Sequence, residues 1–162
     1  DLVTEAVVND EVAAAFGTPA LAVAIRRFAN GRTLIPPHLL WPNNPSYGIV
    51  VRRGYLETHA DIVRDFLAAH EAEEERLRSD RAGAAEEIAR TIGVVEADFV
   101  LEILNVSPRY CAKLSRRYRA SAMAFVKVLR EMGYIRKDLA EQEIFDRTLI
   151  DEVHPEPDHY GT

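Results

Sequence analysis

Residues 47–51, Tyr47-Gly48-Ile49-Val50-Val51, carry the strongest β-strand signal in the chain. Their β-branched side chains pack well on a pleated sheet, so this segment predicts a strand. The apolar run from Leu2 to Val8 predicts a buried strand, and Thr33 to Ile35 predicts another short one. Because a few short buried strands do not form a stable sheet alone, they need partner strands that this chain does not visibly supply.

After this first third, the spacing of apolar residues is that of α-helices. Val63, Phe66 and Leu67 fall on one face of a long predicted helix. In the first third, Gly17-Thr18-Pro19 predicts the start of a helix that runs from Pro19 to Phe28. The limits of later helices are predicted by capping and stop residues, namely Asp80, Gly93, Ser115 and Gly133. The sequence therefore predicts a helix-rich α/β chain.

The composition excludes several classes of protein. The 162 residues include 20 Lys+Arg and 26 Asp+Glu, which gives a net charge of −6. This acidic balance argues against a nucleic-acid-binding protein, which needs a basic face for phosphates. Apolar residues make up 48% of the chain, so it is not intrinsically disordered. The single cysteine, Cys111, excludes an internal disulfide and a zinc site built from several cysteines.

Ligand-binding residues are predicted at three places in the first third. The helix start at Thr18 suits an anion, although many capped helix starts bind nothing. The stiff loop that begins at Trp41 combines an aromatic wall with short polar groups, or else its prolines and asparagines only form turns. The polar residues after Val8 follow a predicted strand, or form a plain turn. The predicted ligand-binding residues are Asn9, Asp10, Glu11, Thr18, Trp41, Asn43, Asn44, Ser46 and Tyr47.

No catalytic residue, metal site or cofactor is predicted. The C-terminal tail contains side chains that can bind metals, namely His154, Glu156, Asp158 and His159. Its two prolines prevent helical spacing and no cysteine joins it, so the pattern favours a solvated, irregular tail. The His70 side chain is expected to be partly buried and hydrogen-bonded. No phosphate-binding loop, serine nucleophile elbow or zinc-protease helix is present in the sequence.

Two runs of residues resemble the substrate-binding proteins of ABC transporters. They extend from Pro42 to Arg53 (PNNPSYGIVVRR) and from Asp61 to His70 (DIVRDFLAAH). The similar subgroup handles nitrate, sulfonates, taurine, bicarbonate and thiamine-precursor pyrimidines. Later segments look like the C-terminal part of the same family, namely Ser107-Pro108-Arg109-Tyr110-Cys111, Phe125-Val126-Lys127, Gly133-Tyr134-Ile135 and His154-Pro155-Glu156.

The resemblance implies a fold and a division of the chain. The implied fold is the α/β type II periplasmic-binding fold, in which two lobes hold the ligand in a cleft. Residues 1–33 would belong to the second lobe and residues 34–46 to the crossing between lobes. Residues 47–162 would form a helix-rich return to the first lobe, whose N-terminal part is absent from this sequence. That absence would explain why the predicted strands lack partners.

The resemblance also implies a function: a solute-binding component of an ABC-type importer, which holds a small anionic or heterocyclic ligand without chemistry. Its partners would be the ligand and a membrane permease, with no nucleic acid, and the full-length protein would be a monomer. It would be periplasmic, or extracellular and membrane-anchored, although no signal peptide is predicted in this chain. One alternative is an enzyme of thiamine- or menaquinone-type biosynthesis on the same fold, for which this segment offers only Asp10, Glu11 and His38. Another is a helical interaction module, which predicts no sheet in the first third.

Overall fold

The computed structural model describes residues 2–41, 43, 45 and 47–160. Helices account for 62% of it, and the described residues contain no β-strand. The helices are α1 (Leu2–Val8), α2 (Pro19–Ala29), α3 (Pro37–Leu40), α4 (Arg53–Thr58), α5 (Ala60–Ser79), α6 (Arg81–Ile92), α7 (Ala97–Val106), α8 (Arg116–Glu131), α9 (Glu141–Ile144) and α10 (Thr148–Val153). Among the described residues, no helix combines the length and apolar character that crossing a membrane requires.

The predicted α/β type II periplasmic-binding fold is therefore wrong, because the regular structure of the described residues is helical throughout and includes no sheet. Residues Leu2–Val8 form helix α1 instead of a strand. Thr33 to Ile35 and Tyr47 to Val51 adopt neither helix nor strand. The physical reason is that a strand needs a neighbour to pair with, and β-branched residues favour strands only in that context. In α1 the backbone satisfies its own hydrogen bonds instead, as the 2.9 Å bond from Asn9 N to Glu5 O continues the helix.

The helix limits predicted from capping residues are confirmed. Helix α2 begins at Pro19, after Thr18, and ends at Ala29, one residue beyond the predicted Phe28, with Asn30 as a C-cap whose φ of 49° is left-handed. The side chain of Asp80 accepts a hydrogen bond from Gly83 N at 2.9 Å and starts α6. Ser115 caps α8 in the same way. A cap is a hydrogen bond between residues only a few positions apart, so its prediction does not depend on the tertiary fold.

We predict a moderate effect when the Asp80 cap is removed. Asp80→Ala leaves the Gly83 N–H without its side-chain acceptor, and the free energy of unfolding should fall by about 1 kcal/mol. Glu86→Ala, at an exposed position on the same helix, is the matched control and should change stability by less than about 0.5 kcal/mol. Urea denaturation followed by circular dichroism measures both, and equal losses would contradict the capping role.

Two compact units make up the chain, and their boundary falls within α5. The first unit comprises residues 1–36 and 76–108. In it, α7 packs against both α6 and α2, and α2 packs against α1. Its buried apolar residues are Leu21, Val23, Ala84, Ala85 and Val100. Surface ion pairs also join α2 to α7, such as Arg26 to Glu102 at 2.6 Å, but exposed pairs of this kind contribute little to stability.

The second unit comprises residues 37–75 and 109–162. Its core contains Val63 and Leu67 of α5 and Ile150 of α10. Val51, from the segment that was predicted to be a strand, packs against this core. The hydroxyl group of Tyr118 donates a 2.7 Å hydrogen bond to the Tyr47 carbonyl. The start of residues 47–51 is therefore bound to helix α8, and no strand among the described residues pairs with it.

Candidate functional site

The residues predicted to bind a ligand lie at separate places. Asn9, Asp10 and Glu11 follow α1 and are exposed, and Asp10 has a left-handed φ of 57°. The Thr18 side chain accepts a hydrogen bond from Leu21 N at 3.4 Å. These four residues belong to the first unit. Asn44 and Ser46 lie outside the described residues, whereas Trp41, Asn43 and Tyr47 belong to the second unit.

An open groove in the second unit brings Trp41 and Asn43 together with the start of α8. Its volume is about 440 Å³. The residues that line it are Trp41, Asn43, Arg116, Arg117, Ala120, Ser121 and Ala124. Arg116 and Arg117 were not predicted as site residues, because spacing along the chain does not show which loop the first turn of α8 contacts. Tyr47 does not line this groove, and its ring faces Tyr110 at 5.6 Å.

The Trp41 ring is held in a defined position as one wall of the groove. Its Nε1–H donates a hydrogen bond of 2.7 Å to the Ser121 Oγ. The ring also meets Phe125 edge-on, with 5.3 Å between centroids. Trp41 is half-buried. An indole fixed by a hydrogen bond and an aromatic contact offers a rigid apolar surface to a ligand.

The groove is positively charged. Arg116 and Arg117 are both exposed, and neither forms an ion pair with another residue in the part of the chain that the structure describes. A guanidinium group keeps its charge at any physiological pH. Two uncompensated positive charges beside an aromatic wall therefore make this groove a place where a small anion can be attracted and held.

A second arrangement in the same unit is a cluster of four side chains that can ligate a metal: Glu71, Cys111, His154 and His159. One donor atom from each lies within 4.8 Å of the donor atoms of the others. Glu71 belongs to α5, Cys111 lies between α7 and α8, and the two histidines follow α10. We call these four residues the Cys-His cluster.

Glu71 accepts the hydrogen bonds that hold the cluster together. Its Oε1 accepts from the Ala112 backbone N–H at 2.6 Å, and its Oε2 lies 2.6 Å from His154 Nδ1. Burial raises the pKa of the Glu71 carboxyl group, but the hydrogen bonds it accepts outweigh burial and leave its pKa below the ordinary value. The carboxylate form is therefore the one that the folded protein stabilises.

The Cys111 thiol is only 3% exposed. Burial raises its pKa, and the backbone N–H groups of His159 and Lys113 offset only part of that rise. A thiol with a raised pKa is a poor nucleophile by itself, so Cys111 is not an activated catalytic cysteine in this state.

Further residues fix the C-terminal tail around the cluster. His159 Nδ1 lies 2.9 Å from Oε2 of Glu74, which is 3% exposed. The Lys113 Nζ donates to the His154 carbonyl at 2.6 Å, and the Tyr160 hydroxyl donates to the Cys111 carbonyl. These contacts bind the tail to α5 and to the segment before α8.

The expectation of a solvated tail is therefore wrong for His154, which is 6% exposed. The tail is irregular, as predicted, but it folds back onto α5. His154 and Glu71 are separated by 83 residues, so no local pattern in the sequence could place them together. The available signal was the short spacing between the two histidines, which lies within the range seen in zinc sites. The expectation that His70 is partly buried and hydrogen-bonded is confirmed by its contact with Glu71.

Comparisons of the chain with protein-family models, with curated proteins and with solved structures find no match. The resemblance to transporter binding proteins therefore stays a prediction from the sequence.

Proposed function

We propose that this chain binds a small anionic solute without chemistry, as the solute-binding component of an ABC-type importer. The observation that supports anion binding is the pair Arg116 and Arg117, which lines one groove with Trp41 and Asn43. Trp41 and Asn43 were already predicted to bind a ligand from the sequence. The partner permease and the periplasmic or membrane-anchored location are proposed from the family resemblance alone.

The chemistry of the groove fits a compact oxyanion such as a sulfonate, a carboxylate or nitrate. A guanidinium group donates two parallel hydrogen bonds to such groups, and charge-assisted bonds of this type are roughly twice as strong as neutral ones. The Asn43 amide adds donors, and the Trp41 ring can cover the apolar part of an organic ligand. The volume of about 440 Å³ lies within the usual range for small-molecule sites.

The composition of the groove favours binding over catalysis. Its described lining residues include no carboxylate, histidine or cysteine that could serve as a base or nucleophile. The residues that the enzyme alternative relies on, Asp10, Glu11 and His38, do not line it. Anion binding, unlike the importer role, does not depend on the predicted α/β fold, since the groove residues come from α8 and the segment after α3.

The experiment is a titration of the purified chain with nitrate, taurine, bicarbonate and a neutral sugar without an amino group, by calorimetry and by thermal shift. We expect at least one anion to raise the melting temperature and the neutral sugar to have no effect. Arg116→Gln should weaken binding of that anion by about tenfold or more, since it removes a charge-assisted hydrogen bond. Rising salt should weaken binding in the open groove as well.

The matched control is Lys127→Gln, which removes one positive charge from the same helix outside the groove. Lys127 is 78% exposed, so this variant should bind the anion like the unaltered chain. Anion binding is contradicted if no anion raises the melting temperature, or if Arg116→Gln and Lys127→Gln have equal affinities.

One observation favours a second candidate function, a helical interaction module. This alternative predicted no sheet in the first third, and the described residues there contain none. Large apolar side chains such as Phe16 and Val50 are also exposed. The same titration separates the two functions, because an interaction module has no reason to give saturable binding that depends on Arg116.

A further inference from the structure

We propose that the Cys-His cluster binds a divalent transition-metal ion, with Zn²⁺ as the preferred ion, through Glu71, Cys111, His154 and His159. The site and the anion groove share no residue. The proposal therefore does not depend on the proposed function.

The first support is the distance between donor atoms. The four donors already lie within 4.8 Å of one another. In a tetrahedral zinc site the metal–ligand distances are about 2.0 to 2.3 Å, which separates neighbouring donors by roughly 3.3 to 3.7 Å. Side-chain movements of about 1 Å would therefore suffice to coordinate the ion.

The second support is the kind of donor. One thiolate, two imidazoles and one carboxylate form a mixed set of the kind that binds Zn²⁺, whereas Ca²⁺ and Mg²⁺ prefer sites made of oxygen. His154 and His159 are separated by four residues, a spacing that occurs between the histidine ligands of zinc sites. The cluster therefore differs from a set of acidic residues, and it is more than a lone cysteine.

The third support is that both histidines have outer partners of the kind that metal ligands use. Nδ1 of His159 lies 2.9 Å from the Glu74 carboxylate, so Nε2 would be its ligand atom in the metal-bound state. Nε2 of His154 lies 3.1 Å from the Pro157 carbonyl, which leaves Nδ1. A carboxylate or carbonyl on the second nitrogen fixes the tautomer and the orientation of a metal-bound imidazole.

The 2.6 Å contact between His154 Nδ1 and Glu71 Oε2 shows how the metal-free state is held. At this distance a proton lies between the two atoms. A metal ion would replace that proton, because both atoms are ligands in the proposed site. The ion would then connect α5, the segment before α8 and the tail, so binding should stabilise the second unit.

The experiment is a titration of the purified, chelator-treated chain with Co²⁺, followed by competition with Zn²⁺. We expect one Co²⁺ per chain, visible d–d bands with the intensity of a tetrahedral site, and a thiolate-to-cobalt charge-transfer band. Cys111 is the only cysteine of the chain, so that band assigns the thiolate ligand without any substitution. Zn²⁺ should abolish the bands and raise the melting temperature.

Variants then test the assignment of the other groups. Cys111→Ser should remove the charge-transfer band and weaken Zn²⁺ binding by about 100-fold, and Glu74→Gln should weaken it by about tenfold through His159. His38→Asn, an exposed histidine in the same unit, is the control and should bind like the unaltered chain. The proposal is overturned if Co²⁺ gives no charge-transfer band with the unaltered chain. It is equally overturned if Cys111→Ser and Glu74→Gln bind Zn²⁺ as tightly as the unaltered chain does.

Discussion

Glu71→Gln is expected to lower the free energy of unfolding of the metal-free protein by about 3 kcal/mol. The carboxylate accepts hydrogen bonds from the Ala112 N–H and from His154, and the Glu71 side chain is only 10% exposed. A glutamine keeps one acceptor oxygen but turns an NH₂ donor towards groups that also donate, so buried donors lose their partner. For a chain of this size, the loss corresponds to a fall in melting temperature of roughly 6 to 12 °C.

Thermal denaturation in the presence of a chelator measures this effect at neutral pH. The control is Glu57→Gln, an exposed carboxylate of the same unit, which should change stability by less than about 0.5 kcal/mol. Equal effects of the two substitutions would show that Glu71 does not hold the cluster together.

The effect of Glu71 should also depend on pH. Its folded-state pKa lies below the unfolded value, so its stabilisation is fully present above the unfolded pKa of about 4.3. It is lost as the pH falls through the folded pKa, because the carboxyl group is then protonated in both states. The difference in stability between the unaltered chain and Glu71→Gln should therefore narrow in acid. If the difference stayed constant from pH 7 to well below pH 4, the stabilisation could not come from the ionised Glu71 carboxylate.

Leu67→Ala is expected to lower the free energy of unfolding by about 3 kcal/mol. Leu67 is 7% exposed and packs with Val63 and Ile150 in the core of the second unit. Truncating the side chain removes buried apolar surface and leaves a cavity between α5 and α10. Urea denaturation followed by far-ultraviolet circular dichroism measures the loss.

Phe66→Ala is the matched control for Leu67→Ala. Phe66 precedes Leu67 on the same helix and has the larger side chain, but it is 54% exposed. Its truncation should cost less than about 1 kcal/mol. The sequence pattern placed Phe66 and Leu67 on one apolar face. The two variants therefore test whether the loss in free energy of unfolding depends on burial in the structure and not on the size of the side chain. A larger loss for Phe66→Ala than for Leu67→Ala would contradict the packing of α5 against the core of the second unit.

The groove and the Cys-His cluster both lie in the second unit, and one short segment connects them. Cys111 belongs to the cluster and Arg116 begins the helix that lines the groove. Between them, Lys113 holds the tail through the His154 carbonyl, and Ser115 caps α8. The contacts that fix the tail thus also fix the position from which α8 starts.

The sequence predicted the local features of the fold well and its strands poorly. Thr18, Asp80 and Ser115 were placed correctly as caps because a cap requires only three neighbouring residues. Leu2 to Val8 was misassigned, because a short apolar run does not distinguish a strand from a buried or short helix. Whether Leu2 to Val8 forms a strand or a helix depends on whether another segment pairs with it.

The candidate sites also contain residues that the sequence predicted and residues that it did not. Trp41 and Asn43 could be selected from the sequence, since an aromatic residue and an amide on a stiff loop are typical of a binding site. Arg116 and Arg117, which line the same groove, could not be selected in this way. The contact of Glu71 and Cys111 with the two C-terminal histidines could not be predicted from the sequence either.

The amino-acid sequence by itself determined where most of the longer helices begin and end, and which residues have the chemistry to bind an anion or a metal. Only the tertiary structure decided that Tyr47 to Val51 finds no partner strand among the described residues, and that His154 leaves solvent to contact Glu71. The reason is that caps and side-chain chemistry are properties of a few consecutive residues. Strand pairing and a four-residue cluster require contacts between distant segments, and the free energy of those contacts depends on how the whole unit packs.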